Sequence, residues 1–156
     1  MTEKDITEKF WKALRSDRTV MLGLRNVAPR PMTALVDGDE GGPIWIFTSK
    51  DTELAKALTP DETARFTFAD KGHNVFATVY GALNPHNDRA VIDRLWNPFI
   101  AAWFTGKDDP KLQLLRFDAR DAEIWVDASS LMAGLKLLLG SDPKEDFKDK
   151  VAKVEL

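Results

Sequence analysis

Residues 31–48 hold two apolar runs, PMTALV and PIWIFT, separated by the six-residue stretch DGDEGG. Glycine and aspartate favour tight reversals, so this pattern predicts a hairpin whose two strands are antiparallel neighbours. Such a pair early in the chain argues against alternating βαβ units and a parallel sheet. The other apolar runs fit the same scheme. RTVMLGL at 18–24 reads as a first strand, and ARFTFAD and NVFATVYGAL read as two more around a turn at Lys71–Gly72. LQLLRF and AEIWVD read as a further two.

Helical spacing appears between these strands. In EKDITEKFWKALR (3–15), Ile6, Phe10, Trp11 and Leu14 share one face, as in an amphipathic helix packed on something larger. SKDTELAKALTP predicts a short helix with Leu54, Ala57 and Leu58 on one side, Ser49 or Asp51 as its cap and Pro60 as its stop. NDRAVIDRLW carries a stripe of Val91, Ile92 and Leu95, and PFIAAWF opens on Pro98, where a missing N–H is harmless. SSLMAGLKLLLG predicts an apolar helix capped by Ser129 or Ser130 and ended by Gly140, and the polar tail 141–156 is expected to fray. The expected fold is α+β and mainly β: an antiparallel barrel of about six strands, closed or nearly so, with short helices packed outside. One domain over 1–156 is expected, because 156 residues fall below the size at which chains divide into separate cores.

Composition narrows the chemistry. With no cysteine, disulfides, thiolate catalysis and sulfur-ligated zinc are excluded, and two histidines leave little for a metal centre. A net charge of −3 gives no general attraction for a phosphate backbone, so no nucleic-acid partner is expected. No apolar run is long enough to cross a bilayer, and the start MTEKDITEKF lacks an apolar signal core, so a cytoplasmic protein is expected. None of the serines lies in a G-x-S-x-G elbow. Asp108–Asp109 in GKDDP reads as a solvated turn, and GDEGG joins two strands instead of opening a helix, unlike a nucleotide loop. Thr48, Ser49 and Lys50 place two hydroxyls and an ammonium together, which suits a phosphate and equally suits a simple helix cap. Lys56 and Arg30 could add charge to the same region.

The blocks APRPMT (28–33), IWIFTSK (44–50), WNPFIAAWF (96–104) and GKDDPKL (106–112), in this order, resemble the general stress protein 26 branch of the pyridoxamine 5′-phosphate oxidase-like, FMN-binding split-barrel family. The resemblance covers residues from about 5 to about 139. It implies a split-barrel homodimer with a flavin, FMN or alternatively FAD, at each end of the subunit interface. By the same resemblance, Arg30, Pro31, Met32 and Thr33 lie along the isoalloxazine and ribityl chain. Phe47, Thr48, Ser49 and Lys50 hold the ring edge and phosphate, Lys56 is a second phosphate cation, and Trp96, Asn97, Trp103 and Phe104 come from the opposite protomer. Five tryptophans and nine phenylalanines against one tyrosine suit a flat aromatic ligand.

The chain departs from that pattern in places. Glu53 and Leu54 stand where the family often has a basic or polar pair, and Leu35 stands where it has an amide-bearing side chain. The tryptophan and arginine segment of true pyridoxamine phosphate oxidases is not found, so that activity is not expected. Two readings remain open. One is a flavin-dependent oxidoreductase of unassigned donor and acceptor, with Arg30 as the nearest positive charge for the ring. The other is a flavin-binding or sequestering stress protein without turnover.

Overall fold

The structure, a computed structural model, describes residues 1–38, 41–126 and 151–156. It begins with helix α1 (Glu3–Asp17). The Thr2 hydroxyl accepts from the Asp5 N–H, and the Asp5 carboxylate accepts from the Thr2 N–H, a reciprocal cap that fixes the helix start. The helix ends at Arg18, whose backbone is left-handed (φ 53°) and whose N–H donates to the Leu14 carbonyl. As the spacing predicts, Ile6, Phe10, Trp11 and Leu14 are buried.

The strands are β1 (Thr19–Leu24), β2 (Val27–Thr33), β3 (Leu35–Val36), β4 (Ile44–Ser49), β5 (Glu62–Ala69), β6 (Val75–Pro85), β7 (Leu112–Val126) and β8 (Val151–Glu155). Helices α2 (Glu53–Ala57), α3 (Arg89–Leu95) and α4 (Pro98–Ala101) lie between them. All pairings are antiparallel, in the order β2-β1-β5-β6-β7-β4-β3, with β8 beside the second half of β7. The strands at the two ends of that order, β2 and β3, are joined by one residue, Ala34. A sheet whose outermost strands are consecutive in the chain must curl back on itself, and here it forms a curled half-barrel.

The predicted hairpin is present, with Leu35 opposite Trp45 and Val36 opposite Ile44. PMTALV, however, is not one strand. It breaks at Ala34, so that its first part pairs with β1 and its last two residues pair with β4. The described strands therefore number eight, against about six expected. LQLLRF and AEIWVD are one 15-residue strand. Its polar middle coincides with the place where its outer edge passes from β4, paired up to Phe117, to β8, paired from Asp121. The tail expected to fray supplies β8 at Val151–Glu155. Thr52 caps α2, its hydroxyl accepting from Ala55 N–H, in place of Ser49 or Asp51. The helix expected over 98–104 closes after Ala101. The helix expected over 129–140 lies outside the described residues.

Two apolar clusters occupy opposite faces of the sheet. On one face the buried side of α1 shares a single core with Val20, Leu22, Ile46, Phe66, Leu83 and Phe117, the helix packing mainly on β6, β7 and β8. On the other, Val91, Ile92 and Ile100 of α3 and α4 pack with Leu35, Trp45, Leu112 and Leu114. Among the described helices, α3 and α4 lie outside the barrel, as expected, whereas α1 does not.

Gly81 is the most crowded glycine among the described residues. The β6–β7 register slips between Tyr80 and Gly81, and a Cβ at Gly81 would overlap the Asp118 carbonyl oxygen and stand 2.8 Å from the Phe117 ring. Gly81→Ala is expected to destabilise the fold by about 1–3 kcal/mol, read as a lower urea midpoint with an unchanged slope.

Candidate functional site

A cavity of about 710 Å³ opens where the end of α1, strands β2 and β4, and the α4 segment meet. Its position follows from the topology. The chain leaves β1 and β2, crosses at Ala34 and enters the β3–β4 hairpin, leaving a groove along the seam. Ala34 N–H donates to the Arg18 carbonyl at 2.7 Å, tying the α1 cap to this crossing.

Four segments form the walls. Arg30, Pro31, Met32 and Thr33 come from β2; Phe47, Thr48 and Ser49 from β4; Asn97, Phe99, Ile100, Trp103 and Phe104 from α4 and its surroundings; and Ser16 to Thr19 from the end of α1. Leu35 and Thr52 complete the lining. Ten of the thirteen residues nominated by the resemblance thus meet in one place.

The remaining three do not line it. Lys50 borders a separate depression with Asn87, Arg89 and Lys107. Lys56 is exposed in the last turn of α2. Trp96 stands behind the wall, its ring 6.1 Å from Phe47 and 6.3 Å from Phe104. Trp96, Asn97, Trp103 and Phe104, assigned by the resemblance to the opposite protomer, lie beside the β2 and β4 residues of their own chain.

The α3–α4 wall is held by specific bonds. The Asn87 side-chain carbonyl accepts from Leu114 N–H at 2.7 Å, and its amide donates to the Leu112 carbonyl, fastening the entry to α3 onto β7. Asn97 caps α4, accepting from Ile100 N–H at 2.9 Å, with Pro98 at the first helical position. Arg94 pairs with Asp37 at 2.6 Å, joining α3 to the β3–β4 loop. The 105–111 loop is a turn, as read from GKDDP. Asp109 accepts from Thr105 and Lys111 N–H groups, which hold its carboxyl below the usual carboxylate range. Lys107 and Arg89 converge on Asp93 of α3, and Arg89 also pairs with Asp108.

The polar groups of the cavity are unevenly placed. Thr48 is only 7% exposed, and its hydroxyl lies 3.4 Å from that of Thr52. The Thr52 proton is committed to the Ser49 carbonyl at 3.0 Å, so in this contact Thr48 donates and keeps its own lone pairs free. Arg18 and Arg30 are the cations of the wall. Among the described residues the arginines paired with carboxylates are Arg89, Arg94 and Arg116, so Arg18 and Arg30 have no carboxylate partner among them. Asp17, the wall's carboxylate, accepts from Lys71 N–H at 2.7 Å. Trp103 (76% exposed) and Phe99 (66%) stand at the mouth, the two most exposed large apolar side chains among the described residues.

Sequence reasoning missed Ser16, Asp17, Arg18, Thr19, Thr52, Phe99 and Ile100, and named Leu35 only as a departure from the family pattern. For Thr52 a signal existed, since threonine before Glu53 is a standard cap. Arg18 carried none, because its place depends on the left-handed end of α1 and on the crossing at Ala34. Among the described residues no group of three or more acidic or histidine side chains could hold a metal, and no helix is long and apolar enough to cross a membrane.

Comparison with known proteins agrees with this architecture. The chain is 24% identical over 127 residues to general stress protein 26 of Bacillus subtilis (strain 168), spanning 80% of this chain and 91% of that protein. The crystal structure of the general stress FMN/FAD binding protein from Xanthomonas citri is similar at 53% identity, covering 81% of this chain and 92% of that one, with a TM-score of 0.77. A general stress protein 26 from Jannaschia sp. CCS1 matches over 99% of this chain and 100% of its own, at 30% identity and a TM-score of 0.83. Residues 5–142 match the family described as pyridoxamine 5′-phosphate oxidase like, and with its curled antiparallel sheet and seam cavity the chain belongs to that family.

Proposed function

We propose that this protein binds a flavin, FMN in preference to FAD, in the seam cavity. The observation that carries the reading is the composition of one 710 Å³ space: an apolar and aromatic wall of Met32, Phe47, Phe99, Trp103 and Phe104 beside the Thr48, Ser49 and Thr52 hydroxyls and two arginines, Arg18 and Arg30. Ring faces and a thioether suit a planar, electron-poor tricycle, while hydroxyls and guanidinium suit a phosphate near −2. The volume lies within the usual range for cofactor sites. The relative from Xanthomonas citri, described as FMN/FAD binding, supports the same reading.

The ends of the cavity can be assigned. Strand β2 lies beside both β4 and α2, and Arg30, Ser49 and Thr52 all line the cavity; together they are the phosphate end of this proposal. Phe47 and the α4 aromatics enclose the ring. Trp103 and Phe99, exposed at the mouth, are the surface that a second copy would cover in a homodimer.

When bound, a flavin supplies two-electron chemistry, accepting a hydride equivalent from a donor such as reduced nicotinamide and passing the electrons on. This chain's residues bind and orient the ring and exclude water from it. Among the described residues the wall holds no histidine and one carboxylate, Asp17, already engaged by a backbone N–H. That scarcity of proton donors favours, as the second reading, a flavin-binding protein without turnover.

Four measurements test the proposal. Titration of FMN should shift its visible spectrum and quench its emission, and extraction with mass measurement separates FMN from FAD. Arg30→Glu should raise the FMN Kd at least tenfold, the scale of losing one charge-assisted contact of about 1.5–3 kcal/mol, while Lys50→Glu changes it less than threefold. The reverse order would move the phosphate to Lys50. Trp103→Ala should weaken flavin retention and shift sedimentation toward monomers; dimers of unchanged strength would place the interface elsewhere. Anaerobic NADH or NADPH should bleach the bound flavin at a useful rate if the protein is an oxidoreductase, and a flavin that stays oxidised selects the second reading.

A further inference from the structure

Arg18 occupies an unfavourable backbone conformation for its residue type. It closes α1 at φ 53°, a position where glycine or asparagine is the common choice because a Cβ is strained there. Its guanidinium makes no ion pair with a carboxylate among the described residues; its Nε donates to the Arg15 carbonyl at 3.3 Å, and the residue lines the cavity. Strain held at a cavity wall is a reason to look for function there.

Its position along the cavity is defined by hydrogen bonds. The Arg18 carbonyl accepts from Ala34, and the next residue, Thr19, pairs with Thr33. Arg30 pairs with Leu22, four residues back along β2 from Ala34. Four residues of extended strand span about 13 Å, so the two arginines serve opposite ends of the same groove. If Arg30 stands at the phosphate, Arg18 stands a ribityl chain and part of a ring away. It also adjoins Leu35, an apolar residue that can offer nothing to a polar ring edge.

We propose that Arg18 faces the pyrimidine edge of the bound flavin, donating to its carbonyl oxygens and favouring the negative charge that gathers there when the ring takes up two electrons and one proton from a hydride donor. Arg18, instead of Arg30, is then the positive charge beside the ring, and it replaces from α1 the donor that Leu35 cannot provide on the strand. The inference rests on the flavin reading of the cavity. Its rival is a purely structural role, in which the cation only offsets the negative end of the α1 dipole.

The test is Arg18→Gly, a substitution the left-handed backbone accepts more readily than arginine, with Arg18→Lys as the charge-conserving companion. On the FMN-loaded protein, Arg18→Gly should disfavour reduced over oxidised flavin at least tenfold. That is a two-electron potential lower by about 30 mV or more, measured by dye equilibration, and Arg18→Lys should recover part of it. Thermal stability should be unchanged or raised, and the ratio of FMN to riboflavin affinity should stay that of the wild type. An unchanged potential, with or without a loss of thermal stability, overturns the proposal in favour of the dipole role. Selective loss of FMN over riboflavin overturns it by moving Arg18 to the phosphate. If the wild-type protein binds neither FMN nor riboflavin, the flavin reading itself falls, and this inference with it.

Discussion

The bond from Ala34 N–H to the Arg18 carbonyl stands at the joint on which the architecture turns. It fixes the single residue between the first and last strands of the sheet order, so it helps set how far the sheet curls and how wide the seam remains. Were the crossing looser, β2 and β4 could separate and the hydroxyl-bearing end of β4 would lose its neighbour. The same bond holds the end of α1 against the seam. A backbone contact thus couples the packing of the N-terminal helix to the shape of the cavity.

Much of the fold was legible because burial imposes period. The α1 stripe, the strands on either side of Lys71–Gly72 and the DGDEGG hairpin all declare themselves through spacing that solvent and core enforce on any amphipathic element. Where a residue's role depends on a partner far away in sequence, the pattern weakens. Asp118 and Arg120 look like a loop because nothing local shows that a strand can change neighbours halfway along. The final strand looks like a polar tail because it lies at the margin, where burial alternates weakly. PMTALV looks continuous because the break at Ala34 changes partners without interrupting the apolar run.

The same distinction governs the site. Residues 30–33, 47–49 and 103–104 were nominated through a family pattern, and the topology brings them to one cavity. Lys50 and Lys56 were nominated alongside them because positive charge near a phosphate motif is chemically sensible. Linear proximity does not convey direction, however: Lys50 follows Ser49 and borders a different depression. The cation that adjoins the crossing comes instead from the end of a helix twelve residues before Arg30, and only the folded chain reveals that neighbourhood.

The change of partner along β7 divides the molecule into two mechanical provinces. Leu112 to Phe117 hold β4, including its cavity residues Phe47, Thr48 and Ser49, whereas Asp121 to Trp125 hold β8. Clipping or fraying at the carboxyl end would bare ladder groups only on the distal half of that long strand. The proximal half would keep its ladder with β4, and loss of β8 would reach the cavity only through the core that β8 shares with α1.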